Sequence, residues 1–333
     1  MGSTGEKTPR RDLRLVAYLG IFALGNLLII NAGFLFEGTL TPLGEYRFKT
    51  ELLRGVQAAL GPLAGAPLPL PSPFLEGLDW VKWNESMSSF GNIYLLGELR
   101  QKGADLVGFP GYFFVVSVFK MPIATQVALG WALVGLFAWR RARPLGDELF
   151  LLVPFAFFAV YFNFFFKAQI GIRFFLVAFP YLYIFAGSAL RAFSGHRSRL
   201  SAGAIVVCLL ASGLSYHPHY LSYMNEFVWH RELAYRYVAD SNLDWGQNRW
   251  YLRRYLREHP EVVAHPRQPM AGRLLVPVNR LVGVYNHPRY RWLRENFEPV
   301  AHVAHSYLVF EVTPEALARL EESTATTSEP TSR

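Results

Sequence analysis

Apolar residues run through the first two thirds of the chain in blocks too long and too uniform for the half-buried faces of a water-soluble fold. Windows over residues 15–36, 121–139, 148–166 and 174–190 approach the length of about 20 residues that a bilayer-crossing helix needs. A fifth, over 200–216, is shorter but nearly unbroken. The pattern predicts five spans. The stretch from 106 to 139 is too short for two spans and a turn, and Lys120-Met-Pro122 interrupts it. It predicts an interfacial or re-entrant helix over 112–119, with Pro122 in the first turn of the true span.

Between and beyond these blocks the period changes. Over 45–60, Leu52, Leu53, Val56, Ala59 and Leu60 recur on one helical face, which predicts an amphipathic helix near a membrane surface. Residues 61–73 carry five prolines and predict an irregular connector. From His217 onward the pattern predicts a helix over 220–238, and a second helix over 244–258 capped by Asp240-Ser-Asn242. Strand material follows over 273–284 and 300–312, with a short helix over 289–296 between them. A last helix opens at Thr313-Pro314, and disorder is expected over 323–333. The fold class is therefore mainly α: a multi-pass transmembrane helical protein with a small α/β outer C-terminal domain. Its expected divisions are a basic tail (1–14), a transmembrane region (15–216) with an outer loop at 37–110, the α/β domain (217–322) and the disordered end.

Composition agrees: 52% of residues are hydrophobic and only 17% charged, against about 25% charged in soluble domains. Intrinsic disorder and a disulfide scaffold are excluded, and the single cysteine, Cys208, lies within an apolar run. The net charge of +8 gains meaning only from its placement. Lys7, Arg10, Arg11 and Arg14, then Arg140, Arg141 and Arg143, then Arg191, Arg197 and Arg199 all flank the spans on one side. The positive-inside rule puts that side, and the N-terminus, in the cytoplasm. The outer loop and the C-terminal domain then face the periplasm or exterior of a bacterial inner membrane, or a lumen. The tail holds 14 arginines, but long domains cross regardless of charge.

Candidate chemistry is sparse. No phosphate-cradling glycine loop, nucleophile elbow or zinc motif occurs. His217-Pro-His219 and His302-x-x-His305 have no cysteine or carboxylate set to complete a metal site, so neither metal nor cofactor is expected. Arg249–Arg257 alternates with aromatic residues, but a domain outside the cytoplasm is not expected to meet nucleic acid. No charge sits at mid-span, which argues against a transporter. Lys120, Lys167 and Arg173 cluster at the outer ends of spans, either as snorkelling anchors or as a site for a lipid phosphate.

Several blocks, kept in order over almost the whole chain, resemble the C-terminal half of bacterial membrane glycosyltransferases of the GT-C superfamily, in particular the group similar to dolichyl-phosphate-mannose–protein mannosyltransferases. They are Phe34-Leu-Phe-Glu-Gly38, Leu68-Pro-Leu-Pro71 with Phe74-Leu-Glu-Gly-Leu-Asp79, Tyr94-Leu-Leu-Gly-Glu98 and Phe119-Lys-Met-Pro122. Further on come Ile170-Gly-Ile-Arg-Phe-Phe-Leu-Val-Ala-Phe-Pro180, His217-Pro-His-Tyr-Leu-Ser-Tyr-Met-Asn-Glu226 and, most diagnostic, Tyr235-Arg-Tyr-Val-Ala-Asp-Ser-Asn-Leu-Asp-Trp-Gly-Gln247. Tyr290-Arg-Trp-Leu-Arg-Glu295 and Ser306-Tyr-Leu-Val-Phe-Glu311 close the series.

The resemblance implies transfer of a sugar, with inversion, from a polyprenyl-phosphate donor to an acceptor on the outer face. Such chemistry needs cations for the departing lipid phosphate and a carboxylate for the acceptor's proton. It assigns the first role to Arg173, Lys120 and Lys167. The family's acidic loop lies after its first span, upstream of the part matched here, which implies a multi-span partner or preceding segment to carry it. Local substitutes are Glu76, Asp79 and Asp244, with Glu37 equally placed in the outer loop; for Asp240 and Asp244 the ordinary role is capping. The sequence departs from the family at Phe174, where relatives often carry histidine or tyrosine, and in a shortened stretch over 258–273. The alternative from another class is a non-catalytic membrane scaffold or lipid- and carbohydrate-binding subunit.

Overall fold

The computed structural model describes residues 9–86, 91–101, 108–138, 146–188, 196–285 and 288–327. Its contacts divide the chain into two units, 1–89 and 90–333. It is mainly helical with a small sheet portion.

In the first unit, helix α1 (Pro9–Gly33) is the one described helix that is unbroken, long and apolar enough to cross a membrane, over Val16–Gly33. A tight turn follows, in which Gly38 takes a φ of +61°. A β-carbon there would fall 2.1 Å from Ser72 Oγ, and that hydroxyl donates to the Gly38 carbonyl at 3.0 Å. Helix α2 (Glu51–Leu60) is the amphipathic helix the spacing predicts, starting six residues later than expected. Helix α3 (Ser72–Ser86) was not predicted; it begins within the proline-rich connector and carries Glu76 and Asp79.

The second unit opens with a hairpin, β1 (Ile93–Leu95) and β2 (Glu98–Arg100). Helix α4 (Tyr112–Lys120) then meets α5 (Ile123–Ala138) at a 117° bend around Met121-Pro122, the break that the Lys-Met-Pro interruption predicts. The amide of Asn163 holds the start of α4, accepting the Phe114 N–H at 3.0 Å. Asn163 itself lies in a π turn (Tyr161–Phe165) that ends α6 (Gly146–Val160). Helices α7 (Phe179–Gly187) and α8 (His196–Leu214) follow; α7 packs on α5 and α6, and α8 on α5. Among the described residues the apolar segments here, Leu149–Phe165, Ile172–Gly187 and Arg199–Leu214, are each shorter than a full span.

The expected helix over 220–238 is absent. The segment has only 3-10 turns, Tyr220–Ser222 and Arg231–Arg236, because it is bound as a strap across the end of α4. Asn225 donates its backbone N–H to the Phe119 carbonyl at 2.8 Å and its side-chain amide to the Val118 and Met121 carbonyls. Carbonyls at a helix end have no partner within the helix, and here Asn225 shares those of Val118 and Met121 with the Gln126 side-chain amide. The next helix, α9, spans Arg249–Glu258 rather than starting at 244, and Asn248, not Asp240–Asn242, precedes it.

The C-terminal sheet has strands β3 (Val263–Ala264), β4 (Gly272–Pro277), β5 (Ala301–Val303) and β6 (Tyr307–Val312) in the order β3-β4-β6-β5. Only β3 and β4 run parallel. The strand expected over 273–284 stops at Pro277 and turns into the short helix α10 (Val278–Leu281). Alternation divides β4 and β6 between two cores. Leu274, Val276, Leu308 and Phe310 join Tyr112, Phe113, Phe175 and Phe179 in one continuous core, so sheet and helices are packed together. Leu275, Tyr307 and Val309 face the other way, onto Tyr251, Leu252, Tyr255 and Leu256 of α9. Helix α11 (Arg291–Asn296) lies where the short helix was expected, and α12 (Pro314–Thr327) continues into the stretch expected to be disordered; residues 328–333 lie outside the described residues.

Candidate functional site

Two of the family-like blocks, Ile170–Pro180 and Tyr235–Gln247, dock on one another. Gly171 is extended, and a β-carbon there would fall 2.1 Å from Ser241 Oγ, so the close approach requires glycine. Ser241 Oγ donates to the Ile170 carbonyl at 2.7 Å. Asn242 is fully buried; its side-chain oxygen accepts the Ile172 N–H at 2.9 Å, and its amide donates to Tyr112 Oη at 3.0 Å. Lys120 Nζ donates to the Asn242 carbonyl at 2.6 Å and the Leu221 carbonyl at 2.9 Å. That ammonium therefore anchors the strap and the docked block to the end of α4.

Arg173 stands exposed at the edge of this junction, its guanidinium 4.0 Å from the centre of the Trp245 ring and 5.0 Å from that of Phe174. Beside it Asp240 is only 8% exposed and takes a φ of +58°. Its N–H is held by Asn279 Oδ1 at 2.8 Å. Burial raises its carboxyl to about 6; the Ser241 N–H and the Arg173 charge oppose that rise, and Asp244 adds to it. Asp244, partly buried, accepts the Gly246 N–H at 2.9 Å, and burial raises its carboxyl as well. A cavity of about 530 Å³ opens from Asp244, Trp245 and Gly246 toward Arg249, Arg253 and Arg280.

The other expected site residues stand differently. Lys167 is exposed in the segment leading to Gly171. Glu76 is exposed on α3. Asp79 is buried and accepts from Lys49 N at 2.6 Å, Thr50 N at 2.9 Å and Thr50 Oγ1 at 2.6 Å. Burial would raise its carboxyl, but these donors outweigh it and hold the group below the usual range. Asp79 thus fixes the start of α2 and has little basicity.

Asp240 was expected to cap the following helix or to make loop hydrogen bonds; that helix begins behind Asn248 instead, and the Ser241 N–H is the loop donor at its carboxyl. Its position inside the Tyr235–Gln247 block was the available signal for more. Asn279, which also donates to the Asp244 carbonyl at 3.1 Å, carried no signal at all. His219, His302 and His305, from two motifs far apart in sequence, gather near Tyr216 and Tyr251. Among the described residues no group of three histidine, cysteine or acidic side chains is placed to hold a metal ion. Comparison of the chain with protein-family models, with curated proteins and with solved structures found no match in any of the three.

Proposed function

We propose that this chain is the C-terminal part of a multi-pass membrane glycosyltransferase that handles a polyprenyl-phosphate-linked sugar at the outer face of a bacterial inner membrane. In this reading five segments cross the bilayer and the C-terminal α/β module faces the periplasm. The apolar side chains that α1, α6, α7 and α8 leave exposed support that placement. Ile21, Phe22, Phe150 and Phe157 are each at least 65% exposed, and large apolar side chains left open along whole helices call for an apolar surrounding.

The observation that carries the proposal is the docked junction, where a cation and a buried carboxylate of raised pKa share one edge. Arg173 offers a planar, permanently charged group for the lipid phosphate, and the Trp245 ring keeps it in place. Asp240, at about 6, is ionised at neutral pH yet a stronger base than an ordinary aspartate, as a proton acceptor for a sugar hydroxyl should be. Lys120 acts as a positioning residue, and Lys167 adds charge at the approach. The Asp79 hydrogen bonds remove that residue as a base, so catalysis rests on Asp240 or on a multi-span partner with its own acidic loop.

The commitment of Asp79 and Lys120 to internal bonds favours, as second reading, a lipid- or carbohydrate-binding subunit without turnover. Full-length protein in nanodiscs, given radiolabelled polyprenyl-phosphate mannose, decides between them. Turnover that Asp240→Asn abolishes, with lipid binding retained, supports the enzyme. Binding without turnover, also in native membranes that retain any partner, leaves the binding subunit.

A further inference from the structure

The cavity beside the junction has a lining that the transfer reading does not use. We propose that it binds an acidic saccharide, a sugar ring bearing a carboxylate or phosphate, as a ligand site in its own right. Its volume of about 530 Å³ falls within the range of small-molecule sites. Arg249 and Arg253 reach it from the start of α9, next to Leu252, which also lines it, while Tyr251 and Tyr255 of the same helix pack toward the sheet. Arg280 comes from α10 on the other wall. Among the described residues none of these three guanidiniums has a carboxylate within ion-pair distance. Burial and the charge of Arg280 push His265 below its usual value, so it adds no further charge at neutral pH. Three guanidiniums face a single carboxylate, that of Asp244, whose charge Arg249 feels, and a concave site left with this excess of positive charge calls for an anion.

The remaining lining calls for a sugar rather than a bare anion. Tyr285 is 57% exposed and offers a flat apolar face for a pyranose ring, and Trp245, its indole already held by Arg173, borders the same space. Asp244, only partly buried, brings a carboxylate able to accept from a hydroxyl at the junction end. The inference does not depend on sugar transfer, since it concerns occupancy alone.

Isothermal titration of the full chain in nanodiscs with glucuronate, glucose 6-phosphate, glucose and inorganic phosphate tests it. The two acidic sugars should bind at least tenfold more tightly than glucose or inorganic phosphate. Arg253→Ala and Arg280→Ala, both at exposed positions, should each weaken them about tenfold. Tyr285→Ala should weaken the acidic sugars and leave inorganic phosphate unchanged. Competition by polyprenyl-phosphate mannose would identify the sugar as lipid-linked, and its failure to compete would identify a soluble glycan; either supports the site. Equal affinity for inorganic phosphate and glucose 6-phosphate, absence of binding by every probe, or indifference to Arg280→Ala would each overturn it.

Discussion

Replacing Asp240 by asparagine tests the central electrostatic argument directly. The substitution is nearly isosteric, and asparagine is among the residues that accept the positive φ found here. The carboxyl titrates at about 6 in the folded chain and at an ordinary 3.8 when unfolded. The folded state therefore binds more protons between those values. The favourable contribution of the neutral group is complete below 3.8 and is lost as pH rises through about 6. At about 1.4 kcal/mol per decade, ionising the buried group costs up to about 3 kcal/mol at neutral pH. Asparagine escapes that cost. For a unit of this size, 1 kcal/mol moves Tm by about 2–4 °C, so Asp240→Asn should melt up to about 10 °C higher at pH 8. The difference should shrink toward zero at pH 4. Thermal melting of both proteins in the same nanodiscs, at half-unit pH steps, reads this difference while contributions common to both cancel. A variant less stable than the wild type at pH 8, or a difference flat from pH 4 to 8, would show that Arg173 fully compensates the charge. The assignment of Asp240 as a base would fall with it.

Arg173→Ala should weaken polyprenyl-phosphate binding about tenfold, and Arg197→Ala, on the opposite membrane side in the proposed topology, should not; equal effects in a lipid-binding titration would remove the phosphate site. Lys120→Met should lower stability by about 2–3 kcal/mol, since it leaves the Leu221 and Asn242 carbonyls without their charged donor, and thermal melting checks this. Gly171→Ala should cost about 1–3 kcal/mol by pushing Ser241 off the Ile170 carbonyl, read the same way. Burial, with the charges of His302, Arg231 and His219, pushes His305 down to about 3. Its stabilising contribution is therefore present above about 6.5 and lost as pH falls toward 3. His305→Leu should remove about 2 kcal/mol of acid sensitivity at pH 5, which melting curves at pH 5 and 7.5 would register.

Periodicity and punctuation made much of the local structure legible. Lys120-Met-Pro122 marked the bend between α4 and α5, the spacing of Leu53, Val56 and Leu60 marked α2, and Thr313-Pro314 marked α12. The failures share a cause. Residues 220–238 have helical composition, but Asn225 binds their backbone to the carbonyls at the end of α4, a long-range contact that no local window contains. The helix expected from 244 starts at Arg249 because Gly246 takes a φ of +83° and donates its N–H to the Asp244 carboxylate, a turn that a helix does not run through. At the site, Arg173 could be singled out by its type and place. Asp240 and Asp79 are both buried, and what separates them is which donors lie beside each carboxylate, while Asn279 looked like any other asparagine.

The two cores of the C-terminal sheet are unequal, and this gives the module a built-in order of opening. One face of β4 and β6 is sealed into the large core that runs through the helices, whereas α9 packs on the small cluster around Leu275, Tyr307 and Val309, with the Tyr251 ring against His219. A short helix on a small apolar seat can lift away without breaching the larger core. The backbone amides of α9 should accordingly exchange with solvent well before those of β4, although the two elements touch. Helix α9 also carries Arg249 and Arg253, so two of the cavity's three guanidiniums stand on the smaller core, and the third, Arg280, on a helix whose Val278 and Leu281 belong to the larger.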